Sequence, residues 1–175
     1  MIAVLRGEAM RNMAQGAFLF GVGDALAQSL TTDAEVSASD RLARCSSAAV
    51  QGAVQFGFLQ SSWYRFIDKA VPTPHKFCAV ALATKVGATW IVLGAIGNAV
   101  NMCYRRAVVP GARFDDALEY TRRNAGEVIL NDLKVWPIFD VLLFTVFPPP
   151  LRPGSALIGA FAWNTYLSIA SHKPF

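Results

Sequence analysis

Five charged residues, Asp24, Lys85, Asp132, Lys134 and Asp140, interrupt stretches of this sequence that are otherwise apolar. At the centre of a membrane helix each costs about 2.5–3.5 kcal/mol on insertion scales, so each is expected to face a bundle interior, water or an opposite charge. Asp24, Lys85 and Asp140 are open to two readings. They line a polar pathway for a small solute, or they neutralise one another as a buried charge network. For Asp132 and Lys134 the balance falls on ion pairing, or on a side chain that reaches out at a helix end.

Motifs for covalent or metal chemistry do not accompany these charges. There is no G-x-S-x-G elbow, no H-E-x-x-H and no Walker-type glycine loop, and GVGDAL from Gly21 sits in an apolar run with no strand before it. His75 and His172 stand alone near expected helix ends, without an acid or cysteine at ligand spacing. Cys45, Cys78 and Cys103 are far apart and form no C-x-x-C pair, which indicates neither a disulfide framework nor a zinc site. The expectation is a protein that is not an enzyme and carries no cofactor or metal.

The elements that must position these residues follow from composition. With 54% hydrophobic and only 16% charged residues, and a mean hydropathy of +0.36, the chain is too apolar for an ordinary soluble domain. A net charge of +4 and a pI near 9.2 suggest nucleic acid, but the basic residues are scattered along connecting segments and suit membrane flanks instead. The fold class expected is all-α, a transmembrane bundle of four to five membrane helices forming one integral-membrane domain over residues 1–175.

A span needs roughly 20 mostly apolar residues. Cys45 to Tyr64, Val86 to Tyr104 and Pro153 to Ser171 meet this without a charge. The first of these is bracketed by Arg44 and Arg65, as expected where cationic ends reach toward headgroups. Asn12 to Leu30 carries only Asp24, and Glu127 to Phe147 carries Asp132, Lys134 and Asp140 with Pro137 expected to kink it. Thr31 to Asp40, Val71 to Lys76 and Val146 to Gly154 read as connections, and Phe114 to Asn124 as a polar helix leading into the fourth span. Cations divide six against eight between the two sides, which sets no orientation. The N-terminal stretch reads as a polar lead-in or a weak mitochondrial address, with no long presequence to remove.

Small-xxx-small pairs that allow close helix approach occur at Ala48 and Gly52, Ala83 and Gly87, and Ser155 and Gly159. Trp63 and Tyr64 read as interfacial anchors, since their rings join an apolar body to a polar tip.

Four strings carry a resemblance: WYRFIDKAVP from Trp63 to Pro72, NDLKVWPIFD from Asn131 to Asp140, FPPPLR from Phe147 to Arg152, and WNTYLSIASH from Trp163 to His172. The chain resembles the Mpv-seventeen family, which includes the twenty-two-kilodalton peroxisomal membrane protein, over nearly all its length. The signature positions are Trp63, Tyr64, Asp68, Pro72, Trp136, Pro137, Arg152, Trp163, Asn164, Tyr166 and Ser168. Gly23, Asp24 and Gln28 match a further pattern in the first span. The sequence departs from the family at Thr84, Lys85 and Trp90, where an Asp-Gln pair and then a proline are usual, and at Asp140 and Leu143-Phe144, where Gln and then Asn-Phe are usual.

The resemblance implies a small multi-spanning protein of the mitochondrial inner membrane or, alternatively, the peroxisomal membrane, associated with pore-like conductance and metabolite homeostasis. Two functions are expected to compete. One is a channel-like small-solute pathway lined by Asp24, Lys85 and Asp140; the other is a non-catalytic accessory subunit of a larger inner-membrane complex. The partners expected are the lipid bilayer and other inner-membrane subunits, and no nucleic acid.

Overall fold

The computed structural model describes residues 2–31, 37–72, 78–109 and 111–172. Parts of the expected connections after Leu30 and Val71, together with His75 and Lys173, lie outside the described residues. Among those described, all regular structure is helical. Helix α1 is Ile2–Leu30 and α2 is Ala38–Gly52, which passes through a π-helical segment, Ala53–Gln60, into α3, Ser61–Ala70. Helix α4 is Ala79–Thr89, followed by a second π segment, Trp90–Ile96, and by α5, Gly97–Ala107. Helix α6 runs from Phe114 to Val146, a short 3-10 turn covers Pro149–Leu151, and α7 is Arg152–Ser171.

The described residues therefore form five helical rods, and local chemistry sets their ends. Ser37 caps α2 by accepting from the Asp40 amide at 3.1 Å. Arg105 and Arg106 occupy the last turn of α5, and Asp115 and Asp116 the first turn of α6, each sign matching the helix dipole. The polar helix expected before the fourth span is continuous with it in α6, which also runs uninterrupted through Pro137.

Cross-helix contacts give the topology. Asn12 meets Ser61 and Asp24 meets Arg44, so α1 is antiparallel to the second rod. Trp63 meets Thr89, Asn98 meets Asp132, and Asn131 meets Tyr166, so each later neighbour is antiparallel in turn. Asp24 and Asn12 thus lie toward opposite ends, and α7 returns parallel to α1 with Ser168 beside Asp24. Close approaches are made where side chains are smallest: a Cβ on Gly52 would collide with the Gly16 carbonyl, and one on Gly159 would touch the Phe139 ring at 3.4 Å. The Ala83 and Gly87 pair is no such seam, since Ala83 is exposed and nothing lies within 4 Å of a Cβ built on Gly87.

Burial is inverted relative to a soluble domain. Among the described residues, polar and charged side chains such as Asp24, Lys85, Arg105, Asp132 and Asn164 are buried alongside apolar ones, while Phe18, Phe58, Ile138 and Val100 stand 60–68% exposed. One rod, Ala79–Ala107, is both long and apolar enough to cross a membrane by length and composition, with a window hydropathy of 1.7. The other expected spans do not reach that measure. The reason lies in their inward faces, where residues such as Gln51, Gln55 and Gln60 dilute the apolar average of a helix whose outer face is apolar.

Candidate functional site

The buried face of the Ala79–Ala107 rod carries Lys85, Thr89, Gly94, Asn98, Asn101 and Arg105. Intervals of three and four keep residues on one helix face. The single interval of five, from Thr89 to Gly94, spans the π segment, whose i→i+5 bonding takes up one additional residue. The facing rod does the same, with Gln51, Gln55, Gln60 and Tyr64 inside and its interval of five within Ala53–Gln60. Cross-rod bonds join the two faces: Arg105 Nε donates to Gln51 Oε1 at 2.9 Å, Asn101 Nδ2 to Gln55 Oε1 at 3.0 Å, and Trp63 Nε1 to Thr89 Oγ1 at 2.9 Å.

A charged cluster closes each end of this polar stripe. At one end Asp24 accepts from Ser168 Oγ and from Gln28 Nε2, the latter at 2.7 Å, with Arg105 at 3.7 Å and Arg44 at 3.9 Å. Arg105 Nη2 also donates to Asn164 Oδ1, and Asn164 Nδ2 to the Phe20 carbonyl at 3.1 Å. At the other end Lys85 Nζ lies 2.6 Å from Asp68 Oδ1, while Arg152 holds Asp68 Oδ2. Arg152 Nε further donates to the Leu143 and Phe147 carbonyls at 3.1 Å, closing the C-terminus of α6. Twenty residues separate Lys85 from Arg105, about 30 Å of helix and close to the thickness of a bilayer core.

Between the clusters lies a cavity of about 50 Å3, lined by residues that include Gln60, Tyr64, Asn98, Asp132, Trp136 and Asp140. At about 10–15 Å3 per water it has room for roughly three to five waters. Asp132 Oδ2 accepts from Asn98 Nδ2 at 2.6 Å, and Asn98 Oδ1 accepts from Trp163 Nε1 at 3.1 Å. Oδ1 of Asp132 and Oδ1 of Asp140 are both buried without a hydrogen-bond partner. Trp136 and Trp163 meet edge to face, 84° apart, and Trp90 also lines the cavity.

The sequence-predicted residues are therefore distributed over three levels. Asp24 and Lys85 sit in opposite end clusters, each with its own counter-ion, and Asp140 faces the cavity between them. Asp132, expected to ion-pair, instead shares that cavity with Asp140. Lys134, two positions on, falls on another face and reaches Asn131 Oδ1 at 2.9 Å in an exposed position. Tyr64, read as an interfacial anchor, is 3% exposed, with its hydroxyl accepting from Gln60 Nε2 at 3.2 Å and its ring edge-on to Phe144. A ring packed among helices does not present its polar tip to the surrounding headgroups.

Most signature positions meet across helices. Trp63, Tyr64, Asp68, Arg152, Trp163, Asn164 and Ser168 contribute to the stripe or its end clusters, and Tyr166 accepts from Asn131 Nδ2 at 2.8 Å. Trp136 lines the cavity, Pro137 lies within α6, and Pro72 is exposed past the end of α3. The sequence reading missed the burial of Arg44, placed there as a flanking cation, and of Arg105; they are 7% and 2% exposed. The available signal was spacing, since Asn98, Asn101 and Arg105 fall at helical intervals on one face. Outside the helical rods, His172 Nδ1–H donates to the Ser168 carbonyl at 2.8 Å. Burial, reinforced by the charge of Arg44, lowers its pKa from 6.5 to about 4.

Comparison with known proteins adds a family assignment. Residues 107–168 match the model of the Mpv17 / PMP22 family. Protein SYM1 of Kluyveromyces lactis is 29% identical, with 95% of this chain and 84% of that protein covered. Protein SYM1 of Eremothecium gossypii is 30% identical, with 88% of this chain and 84% of that protein covered. Protein sym-1 of Neurospora crassa is also 30% identical, over 86% of this chain and 84% of its own length. No solved structure matches significantly.

Proposed function

Because the chain belongs to the Mpv17 / PMP22 family, we propose that it is a multi-spanning membrane protein whose five rods enclose a small-solute pathway. The observation that carries this reading is the inverted burial: a continuous polar stripe inside and large apolar side chains outside. In water that arrangement wastes apolar burial, whereas in lipid it solvates the outer face and shelters the polar one. The separation of the end clusters by about 30 Å agrees with the same placement. Family membership supports a mitochondrial or peroxisomal membrane, and of these we favour the mitochondrial inner membrane. The protein acts without catalysis, as one integral-membrane domain, with lipid as its principal partner and no nucleic acid.

In this reading the ion-paired clusters form closed ends, and the central cavity is the occupied waypoint of a pathway that opens when a cluster separates. The purified protein in liposomes should release a trapped small solute faster than protein-free liposomes. Release at the protein-free rate across solutes of different charge would reject the pathway. A second reading, a non-catalytic subunit of a larger inner-membrane complex, draws on the same clusters, which equally suit a dry bundle held rigid by buried pairs. Native migration from mild detergent separates the two, because a monomer-sized band excludes stable residence in a large complex.

A further inference from the structure

We propose that the cavity between Asp132 and Asp140 is a binding site for a small organic ammonium ion. The two carboxylates are 1% and 2% exposed, and each presents an Oδ1 atom with no hydrogen-bond partner. The other buried acid of the stripe, Asp24, has Arg44 and Arg105, and Asp68 has Lys85 and Arg152. The described residues lining this cavity include no Lys, Arg or His. A buried carboxylate without a compensating charge is costly, so the site calls for a cation from outside the chain.

The walls select the kind of cation. Trp90, Trp136, Trp163 and Tyr64 line the space, with the indoles of Trp136 and Trp163 set at 84° to make a corner. Aromatic faces attract cations through their quadrupole, and such boxes favour ammonium groups, which bring apolar surface to the ring. The lining also carries the side-chain oxygens of Gln55, Gln60, Tyr64, Thr89 and Asn98, so an inorganic cation is the competing occupant that the potassium titration below tests. The cavity of about 50 Å3 limits the ion to a few heavy atoms.

The site is also held in place before any ligand arrives. Asn98 donates to Asp132 Oδ2 and is itself fixed by Trp163, which leaves Asp132 Oδ1 directed elsewhere. Gly94 lets that oxygen pack against the helical rod that carries Asn98, since a Cβ there would collide with Asp132 Oδ1. Preorganised groups lose less freedom on binding than mobile ones.

The inference rests on the pathway reading only for its role, the ammonium being the solute held midway; binding itself is independent of transport. The test titrates the full chain in detergent with methylammonium chloride and with potassium chloride at equal ionic strength, following tryptophan fluorescence and melting temperature. Methylammonium should produce a saturable change that potassium does not, at least tenfold weaker in Asp140→Asn and also weakened in Trp136→Leu, with both variants folded by circular dichroism. An equal response to potassium, an unchanged response in folded Asp140→Asn, or no saturable response overturns the site. If methylammonium binds while liposomes release no solute, the pathway fails and the site stands. If liposomes release solute but methylammonium does not bind, the site fails alone.

Discussion

Arg105 Nη1 lies 3.7 Å from Asp24 Oδ1, joining the fifth helix to the first across the end of the bundle. Both groups are almost fully buried, at 2% and 1% exposure, and Arg105 donates in addition to Gln51 and Asn164. Removing one partner of a buried pair strands the other, which typically costs about 3–5 kcal/mol. Arg105→Gln should therefore lower the melting temperature in detergent clearly. Combining it with Asp24→Asn should cost less than the two single changes added together, and simple additivity would show that the pair does not interact.

Asn164→Leu probes the same end from α7. The change removes an acceptor from Arg105 and a donor from the Phe20 carbonyl. Interhelical hydrogen bonds in membranes average about 0.6 kcal/mol and reach about 1.7, but bonds to charged groups run about 1.5–3. The loss should fall in the upper range, about 1.5–3 kcal/mol, and a melting profile identical to wild type would refute the bond network.

At the opposite end Asp68 serves two cations, so its removal should hurt more than removal of either. Lys85→Met leaves the carboxylate with Arg152, whereas Asp68→Asn leaves Lys85 and Arg152 facing each other without a counter-charge. Lys85→Glu places a second acid against Asp68 and should destabilise more than Lys85→Met. Thermal melts of the three variants check the order, and Lys85→Glu with undiminished stability would show that Lys85 faces water.

Two glycines seven residues apart on one rod give a paired control. A Cβ on Gly94 meets Asp132 Oδ1 and the Trp90 ring, while one on Gly87 meets nothing within 4 Å. Gly94→Ala should cost about 1–3 kcal/mol through overpacking. Gly87→Ala should be neutral or stabilising by up to about 1 kcal/mol, because Ala is the better helix former. Equal effects in the melting curves would place Gly94 away from the cavity wall.

His172 gives a pH dependence. Its folded pKa of about 4 lies below the ordinary 6.5, so between these values the unfolded chain binds a proton that the folded chain does not. Stability from this group is full above about pH 6.5 and declines as pH falls toward 4. The melting temperature of wild type should drop more between pH 7.5 and pH 5 than that of His172→Gln, and parallel profiles would dissociate the effect from this residue.

The rods were legible because apolar runs of span length betray themselves. Cys45 to Tyr64 and Val86 to Tyr104 lie wholly within observed helical rods, as does Pro153 to Ser171. Asp24, Lys85 and Asp140, which interrupt other apolar stretches, were legible as interior groups because charge is costly in lipid, and all three are buried. Their partners were not legible. Arg44, Arg105 and Asp68 stand beside apolar runs, where flanking cations and acids normally meet water, and only the pairing of distant helices turns them inward. Asp132 and Asp140, eight residues apart, fall on one side of α6, but the cavity they share depends on Asn98 and Gly94 arriving from another rod. The π segments left no composition signal in Ala53–Gln60 or Trp90–Ile96.

Those two segments govern the phase of the bundle. At about 100° per residue, an unbroken α-helix would turn Lys85 and Arg105 about 200° apart, onto opposite sides of their rod. The wider turns between them correct much of that drift, so both cations point inward although they are anchored in separate halves. A residue deleted within Trp90–Ile96 would tighten the wide turns to α and leave the two halves in phase, with Lys85 still facing Asp68 and Arg105 still facing Asp24. The same deletion in a plain α-helical stretch would rotate one half against the other by about 100° and carry a buried cation toward lipid, whereas here the rod already stores the extra residue. Each π segment is thus a vernier that lets the chain set its two ends independently.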